Sequence, residues 1–267
     1  MVNWVTNGGC INGIRFAESD LSYIASADTD ADDQPNNKVI IVTVSIDGDD
    51  MDAISGDFFL EWRNVTDAGS FADLSATGEL RWGNVTAYAN GDNPTVGELN
   101  GTENCSGMGV SGATYGIQRE SANEINLSSV GEDEVSNNMW GVDLSFAVAG
   151  KSYEFRITES GGGSGVYKLF TAQVNVVQAG KIEIVSRNAD SSSTVGSVVA
   201  TALHSDEAGS PKIDLTKKPS GQTTTNGSGV GTIQGLVSGE KYFVHYYKDD
   251  TDDLADGTIE ITAVDDV

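Results

Sequence analysis

Three short stretches concentrate the residues best suited to chemistry. Asp28, Asp30, Asp32 and Asp33 form the first, Asp47, Asp49, Asp50 and Asp52 the second, and Asp249, Asp250, Asp252, Asp253 and Asp256 the third. Loops this rich in carboxylate oxygen can hold Ca²⁺, which takes about six to eight oxygen ligands. The first stretch opens like an EF-hand loop, but Asp33 stands at the glycine position and Val39 where the bidentate Glu belongs. Each cluster reads first as a solvated acidic loop, with Ca²⁺ as the alternative use of the same oxygens.

Other chemistry is sparse. His204 and His245 are the two histidines, and His245 alternates with Phe243 and Tyr247 as a strand-face residue does. Cys10 and Cys105 stand far apart, and both a pair and two separate thiols remain open. No zinc-ligand spacing, no G-x-S-x-G and no P-loop occurs. The run Gly161-Gly162-Gly163-Ser164-Gly165 lies between two strand-like segments with no helix after it, so it reads as a hairpin turn and not a phosphate cradle. Carboxylate pairs suited to glycoside hydrolysis arise by chance among 40 acids. Trp62, Trp82 and Trp140 sit inside strand patterns, which favours core packing over stacking on sugars. Asn-x-Ser/Thr acceptors occur at Asn64, Asn84, Asn100, Asn104, Asn126 and Asn226, read as unmodified. No catalytic or cofactor-binding residue is assigned, and the expectation is a non-enzyme.

The elements that would position these residues are strands. Lys38 to Ile46 is a β-branched apolar run, and Asp57 to Val65 and Leu80 to Tyr88 carry aromatics. In Trp140 to Val148, the residues Val142, Leu144, Phe146 and Val148 share one face. Tyr153, Phe155 and Ile157 oppose Glu154, Arg156 and Thr158, and Phe170, Ala172, Val174 and Val176 fall in phase. Such period-2 alternation marks strands with one buried face. Gly91 to Gly116 reads as a long surface loop. After Gln178-Ala179-Gly180 the pattern restarts as five short strands: Lys181 to Ser186, Val195 to Leu203, Gly229 to Gly235, Glu240 to Tyr247 and Gly257 to Val264. The expected architecture is all-β, with a jelly-roll-like β-sandwich over residues 1–177 and a small Ig/transthyretin-like β-sandwich over 178–267. No sequence repeat relates the halves.

Across 267 residues, 40 acidic side chains face 15 basic ones, a formal charge of -25. That balance argues against nucleic acid and against anionic membrane surfaces. No apolar run reaches membrane-spanning length, and Met1-Val2-Asn3-Trp4 shows neither the basic nor the apolar region of a secretory signal. Of the 40 acids, 13 lie in the three Asp stretches, so the acidity belongs to exposed loops. Salt screens such charge, which suits a halophilic or marine setting.

The segment Phe59-Leu60-Glu61-Trp62-Arg63, then Gly69 to Leu74, then Trp140 to Phe146 followed by Tyr153-Glu154-Phe155-Arg156-Ile157-Thr158, resembles a jelly-roll-like β-sandwich of tailed-virus structural proteins. The last 90 residues are similar to transthyretin-like or carboxypeptidase-regulatory-like modules. Asn226-Gly227-Ser228-Gly229, Thr232 to Leu236 and Gly239 to Val244 carry that likeness, and the long stretch Ser205 to Gln222 departs from it as a projecting loop. The resemblances imply a non-enzymatic virion protein on the exterior of a phage or other tailed-virus particle: a capsid decoration, turret or head fibre. Its partners would be other virion proteins and copies of itself. The alternative they imply is a tail or baseplate fibre module that binds a host glycan or surface protein.

Overall fold

The computed structural model describes residues 10–20, 22–47, 54–85, 118–119, 124–130, 135–160, 164–187, 193–206, 212–213, 221–247 and 257–266. Among these residues there are strands, turns and bends and no helix. The chain divides into two compact units, Met1–Val176 and Val177–Val267.

The first unit contains β1 (Cys10–Glu18), β2 (Ala31–Pro35), β3 (Val39–Asp47), β4 (Ile54–Asn64), β5 (Ala72–Asp73), β6 (Arg81–Trp82), β7 (Gln118–Arg119), β8 (Glu124–Val130), β9 (Val135–Asp143), β10 (Ser152–Ser160) and β11 (Ser164–Val177). They form two sheets. One runs β1-β3-β9-β6 with β7 beside β9, and the other runs β2-β11-β10-β4-β5 with β8 beside β4. Between the sheets lie Phe16, Val42, Trp140, Phe58, Phe155 and Phe170, all at most 2% exposed. The alternation expected for Tyr153, Phe155 and Ile157, and for Phe170 to Val176, is what builds this core.

One strand is shorter than its pattern. β9 ends at Asp143, whose carboxylate accepts the Ser145 N–H at 2.8 Å and turns the chain. Ala147 N–H then closes onto the Leu144 carbonyl. Val142 and Leu144 stay buried, while Phe146 and Val148 emerge at 50% and 45% exposure. The Asx turn, a side chain substituting for the ladder, overrides the apolar alternation.

The outer face of the first sheet is also covered. Ala17, Ile41, Val85 and Met139 form a separate small cluster there. The segment after β6 reaches it because Gly83 N–H donates to the Gly141 carbonyl at 3.0 Å, and a Cβ on Gly141 would overlap the Gly83 carbonyl oxygen.

The second unit contains β12 (Ala179–Val185), β13 (Val199–Asp206), β14 (Lys212–Ile213), β15 (Gly221–Thr224), β16 (Val230–Val237), β17 (Lys241–Tyr247), β18 (Gly257–Thr262) and β19 (Val264–Asp265). A three-stranded sheet β16-β12-β19 faces a sheet β14-β13-β17-β18, in which β15 also pairs β13. Ile182, Ile233, Leu236, Tyr242 and Val244 fill the space between. β14 pairs with Ser205 and Asp206, so part of the expected projecting loop returns to the sheet. Gly91 to Gly116 lies outside the described residues.

The units repeat one strand plan, although no sequence repeat announces it. β3 and β9 pair antiparallel in one sheet of the first unit, as β12 and β16 do in the second. β4, β10 and β11 match β13, β17 and β18, again antiparallel throughout. Where the chain crosses between sheets the hydrogen bonds coincide. Val148 N–H donates to the Tyr153 hydroxyl at 2.9 Å, and Val237 N–H to the Tyr242 hydroxyl at 2.9 Å. Gly150 and Gly239 hold φ of 80° and 83°, and donate to the carbonyls of Val176 and Ala263. The N–H groups of Val176 and Ala263 return to the carbonyls of Lys151 and Glu240. A tyrosine that ties its own strand entry to the backbone upstream is a device of Greek-key sandwiches.

Candidate functional site

The most developed group of charged side chains lies on the outer face of the second sheet of the first unit. The tripeptides Glu61-Trp62-Arg63 on β4 and Glu154-Phe155-Arg156 on β10 pair antiparallel, with Glu154 opposite Arg63, Phe155 opposite Trp62 and Arg156 opposite Glu61. The register turns two identical charge patterns into a checkerboard. Each Arg ion-pairs with the Glu directly across from it. Trp62 and Phe155 point the other way, into the core.

Burial differs along this ladder. Glu61 is 1% exposed and Arg156 17%, whereas Arg63 is 36% exposed. The ring of Phe71 lies over both guanidinium groups, 4.0 Å from Arg156 and 4.8 Å from Arg63. The loop after β4 is thereby laid across the charges that would otherwise face solvent, and the cation–π attraction replaces part of their hydration. The face opposite Tyr153, Phe155 and Ile157 is therefore covered, where alternation alone implies an exposed one. The signal in the sequence was the recurrence of Glu-aromatic-Arg in two strands, and it means nothing until the pairing register is known.

A second polar network adjoins it. The Tyr153 hydroxyl donates to Glu79 Oε2 at 2.7 Å, and Asn64 Nδ2 donates to the same oxygen at 3.1 Å and to Asp67 Oδ2 at 3.0 Å. Lys151 Nζ reaches Asp67 Oδ1 at 2.7 Å. Burial, and then the hydrogen bond to Glu79, push the Tyr153 hydroxyl well above the ordinary tyrosine range.

The first Asp stretch performs a structural task. Asp28 Oδ1 accepts the Ile14 N–H at 3.0 Å, and Asp28 N–H donates to the Ile14 carbonyl at 2.8 Å. Asp30 accepts the Gln173 N–H at 2.8 Å, and Asp32 accepts from Asn175 Nδ2 at 2.6 Å. Asp28 and Asp33 take φ of 55° and 54°, which Asp tolerates better than most residues. Three of the four carboxylates thus tie this segment to β1 and β11, while Asp30, Asp32 and Asp33 stay exposed as a solvated acidic stretch does. Asp47 closes β3 opposite Val135, while Asp49, Asp50, Asp52 and the stretch Asp249 to Asp256 lie outside the described residues. Among the described residues, no three His, Cys, Asp or Glu side chains gather as a metal site.

The remaining candidates fall as follows. Trp62 and Trp140 are buried in the first core and Trp82 packs against it, its Nε1 donating to the Leu74 carbonyl at 2.8 Å. His245 lies on β17 opposite Thr201 and Thr258, and His204 lies on β13 opposite Tyr242. Cys10 opens β1, and Cys105 lies outside the described residues. Of the Asn-x-Ser/Thr acceptors, Asn64 is buried in the Glu79 network, while Asn84, Asn126 and Asn226 are exposed.

No protein-family model matches the sequence, and no curated protein matches it. Solved structures do. One is the three-domain T6 backbone pilin of serotype M6 Streptococcus pyogenes, at 12% identity over 95% of this chain and 52% of that chain, TM-score 0.32. A second is a C-terminal fragment of the major pilin GBS80 of Streptococcus agalactiae, at 12% identity over 95% and 91%, TM-score 0.28. A third is a variant of BcpA, the major pilin subunit of Bacillus cereus, at 10% identity over 95% and 67%, TM-score 0.27. The chain spans about half the length of the first of these. Scores this low do not establish a shared fold. All three are bacterial proteins, so they add no support to the resemblance to tailed-virus proteins.

Proposed function

We propose that this chain is a non-enzymatic structural protein on the exterior of a virion, a capsid decoration, turret or head fibre. The observation that carries a scaffold reading is the closed checkerboard of Glu61, Arg63, Glu154 and Arg156. Every charged group in it is paired with another and Phe71 lies over both arginines, so the best-organised polar cluster braces two strands and a loop. The repeated tyrosine corner points the same way, since it stiffens strand entry in both units. The viral assignment is supported by the sequence resemblance of the β4 and β10 regions. Its partners on this reading are other virion proteins and further copies of the chain.

The test is quantitative mass spectrometry of gradient-purified virus particles from the source culture. The reading predicts the chain at a copy number in fixed proportion to the major shell protein. Absence from particles, with recovery in the cell-envelope fraction, would contradict the viral part and leave the scaffold part standing. Binding of the isolated protein to a glycan array would move it to the tail or baseplate fibre role.

A further inference from the structure

The shared strand plan exposes one difference between the units. In the first, β1 runs antiparallel along β3 from Glu18↔Ile40 to Cys10↔Asp47. It delivers Ile11, Ile14 and Phe16 to the core, each at most 1% exposed. In the second, the corresponding side of β12 is paired at Gly180 and Lys181 alone, by β19. No described residue pairs with Ile182–Val185 on that side.

Strand alternation identifies the groups left facing outward. The Ala179 carbonyl accepts the Asp266 N–H on the β19 side, and Ser186 N–H donates to the Gly229 carbonyl on the β16 side. Successive residues of an antiparallel strand direct their main-chain groups to alternate edges. The N–H and C=O groups of Glu183 and Val185 therefore point to the open edge. The core beside this edge is short of cover: Ile184, Tyr246 and Ile261 are only partly buried, and Val185 is 54% exposed.

Among the described residues, none reaches this slot. β19 pairs Gly180↔Asp265 and Lys181↔Val264, so residues beyond Asp265 run toward Ala179 and away from Ile182. Residues before Val264 are held by Glu240 and by β17.

We propose that the Ile182–Val185 edge of β12 receives an extended, antiparallel strand from a different protein, as β3 receives β1. Main-chain hydrogen bonds to Glu183 and Val185 supply the attachment, and alternate apolar side chains of the added strand cover Ile184. Charge selects the partner. Glu183 is 68% exposed and Asp265 stands exposed nearby; the one lysine among them, Lys181, lies 4.0 Å from Glu183 and 3.7 Å from Asp266, so the acids are in excess, and the chain carries a net charge of -25. A strand alternating apolar with basic residues fits this edge, and a second copy of this acidic chain fits it less well. The inference stands on strand pairing and does not depend on the virion assignment.

The experiment uses the full chain and three synthetic peptides of alternating Val with Lys, Val with Thr, and Val with Glu, read by amide hydrogen exchange. The Lys peptide is expected to slow exchange at Glu183 and Val185 by about tenfold or more, and the Glu peptide to leave them unchanged. Val185→Pro removes an N–H that faces the open edge and spares the bonds to β16, and it should abolish the protection. Glu183→Lys, an exposed substitution that keeps the fold, should reverse the preference toward the Glu peptide. Protection confined to β18, or equal for all three peptides, or absent at Glu183 and Val185 with the Lys peptide in millimolar excess, would overturn the proposal. So would a Glu183→Lys protein that still prefers the Lys peptide.

Discussion

The Tyr153 hydroxyl donates its proton to Glu79 Oε2 at 2.7 Å while its oxygen accepts the Val148 N–H at 2.9 Å. One buried phenol thus joins the strand entry of β10 to the loop that precedes β6. Replacing it by Phe keeps the ring against Trp62, whose centroid lies 5.8 Å away, and removes both bonds. Tyr153→Phe should destabilise the first unit by about 1–3 kcal/mol, the cost of leaving buried polar groups unpaired. All four Trp precede residue 177, so Trp fluorescence in urea reads this unit alone. Tyr242→Phe should leave that signal unchanged. An equal loss from both variants would show that the corners are not independent.

The same hydroxyl gives a pH dependence. Its folded pKa is raised, so the stability it contributes is complete below about pH 10, the unfolded value, and is lost as pH rises toward the folded value. The difference in unfolding free energy between the parent protein and Tyr153→Phe should therefore shrink above pH 10. Parallel stability curves through pH 11 would contradict this.

In the checkerboard, Glu61 is buried and its partner Arg156 nearly so. Removing one partner strands the other, at a cost of about 3–5 kcal/mol, whereas replacing both by apolar residues of similar volume recovers much of it. Arg156→Met alone should therefore destabilise more than Arg156→Met combined with Glu61→Leu. Arg63→Met should cost less than Arg156→Met, because Arg63 is 36% exposed, although it leaves Glu154, 9% exposed, without its partner. Denaturation midpoints of the four proteins decide the order.

For the first Asp stretch the prediction separates structure from metal. Asp28→Ala deprives Ile14 N–H of its acceptor and should cost about 1–3 kcal/mol, by the same amount in EDTA and in millimolar Ca²⁺. A loss seen only with Ca²⁺ present would restore the metal reading.

Much of the core was legible in the sequence, and the reason is period-2 burial: Tyr153, Phe155, Ile157 and Phe170 to Val176 face inward as their spacing implies. The expectation failed at Phe146 and Val148, because a single Asp143 carboxylate turns the chain before the alternation ends. It also misjudged Glu154, Arg156 and Thr158, since alternation says which side faces the core but not what lies over the other side. The duplicated plan was invisible for a related reason. The two corners share only Val, Gly and Tyr at matching positions, and beyond the two tyrosine hydroxyls and the positive-φ glycines their equivalence resides in main-chain hydrogen bonds that leave the other side chains unspecified. Asp28, Asp30 and Asp32 were legible as a cluster, but their partners Ile14, Gln173 and Asn175 are distant in sequence.

The proposed external structural role on a virus particle is tested most directly by immunogold electron microscopy of intact purified virions with antibody raised against the full chain. The account predicts dense, regular label on the outer surface of unopened particles. Label confined to host-cell surface fibres, with bare particles in the same preparation, would contradict it.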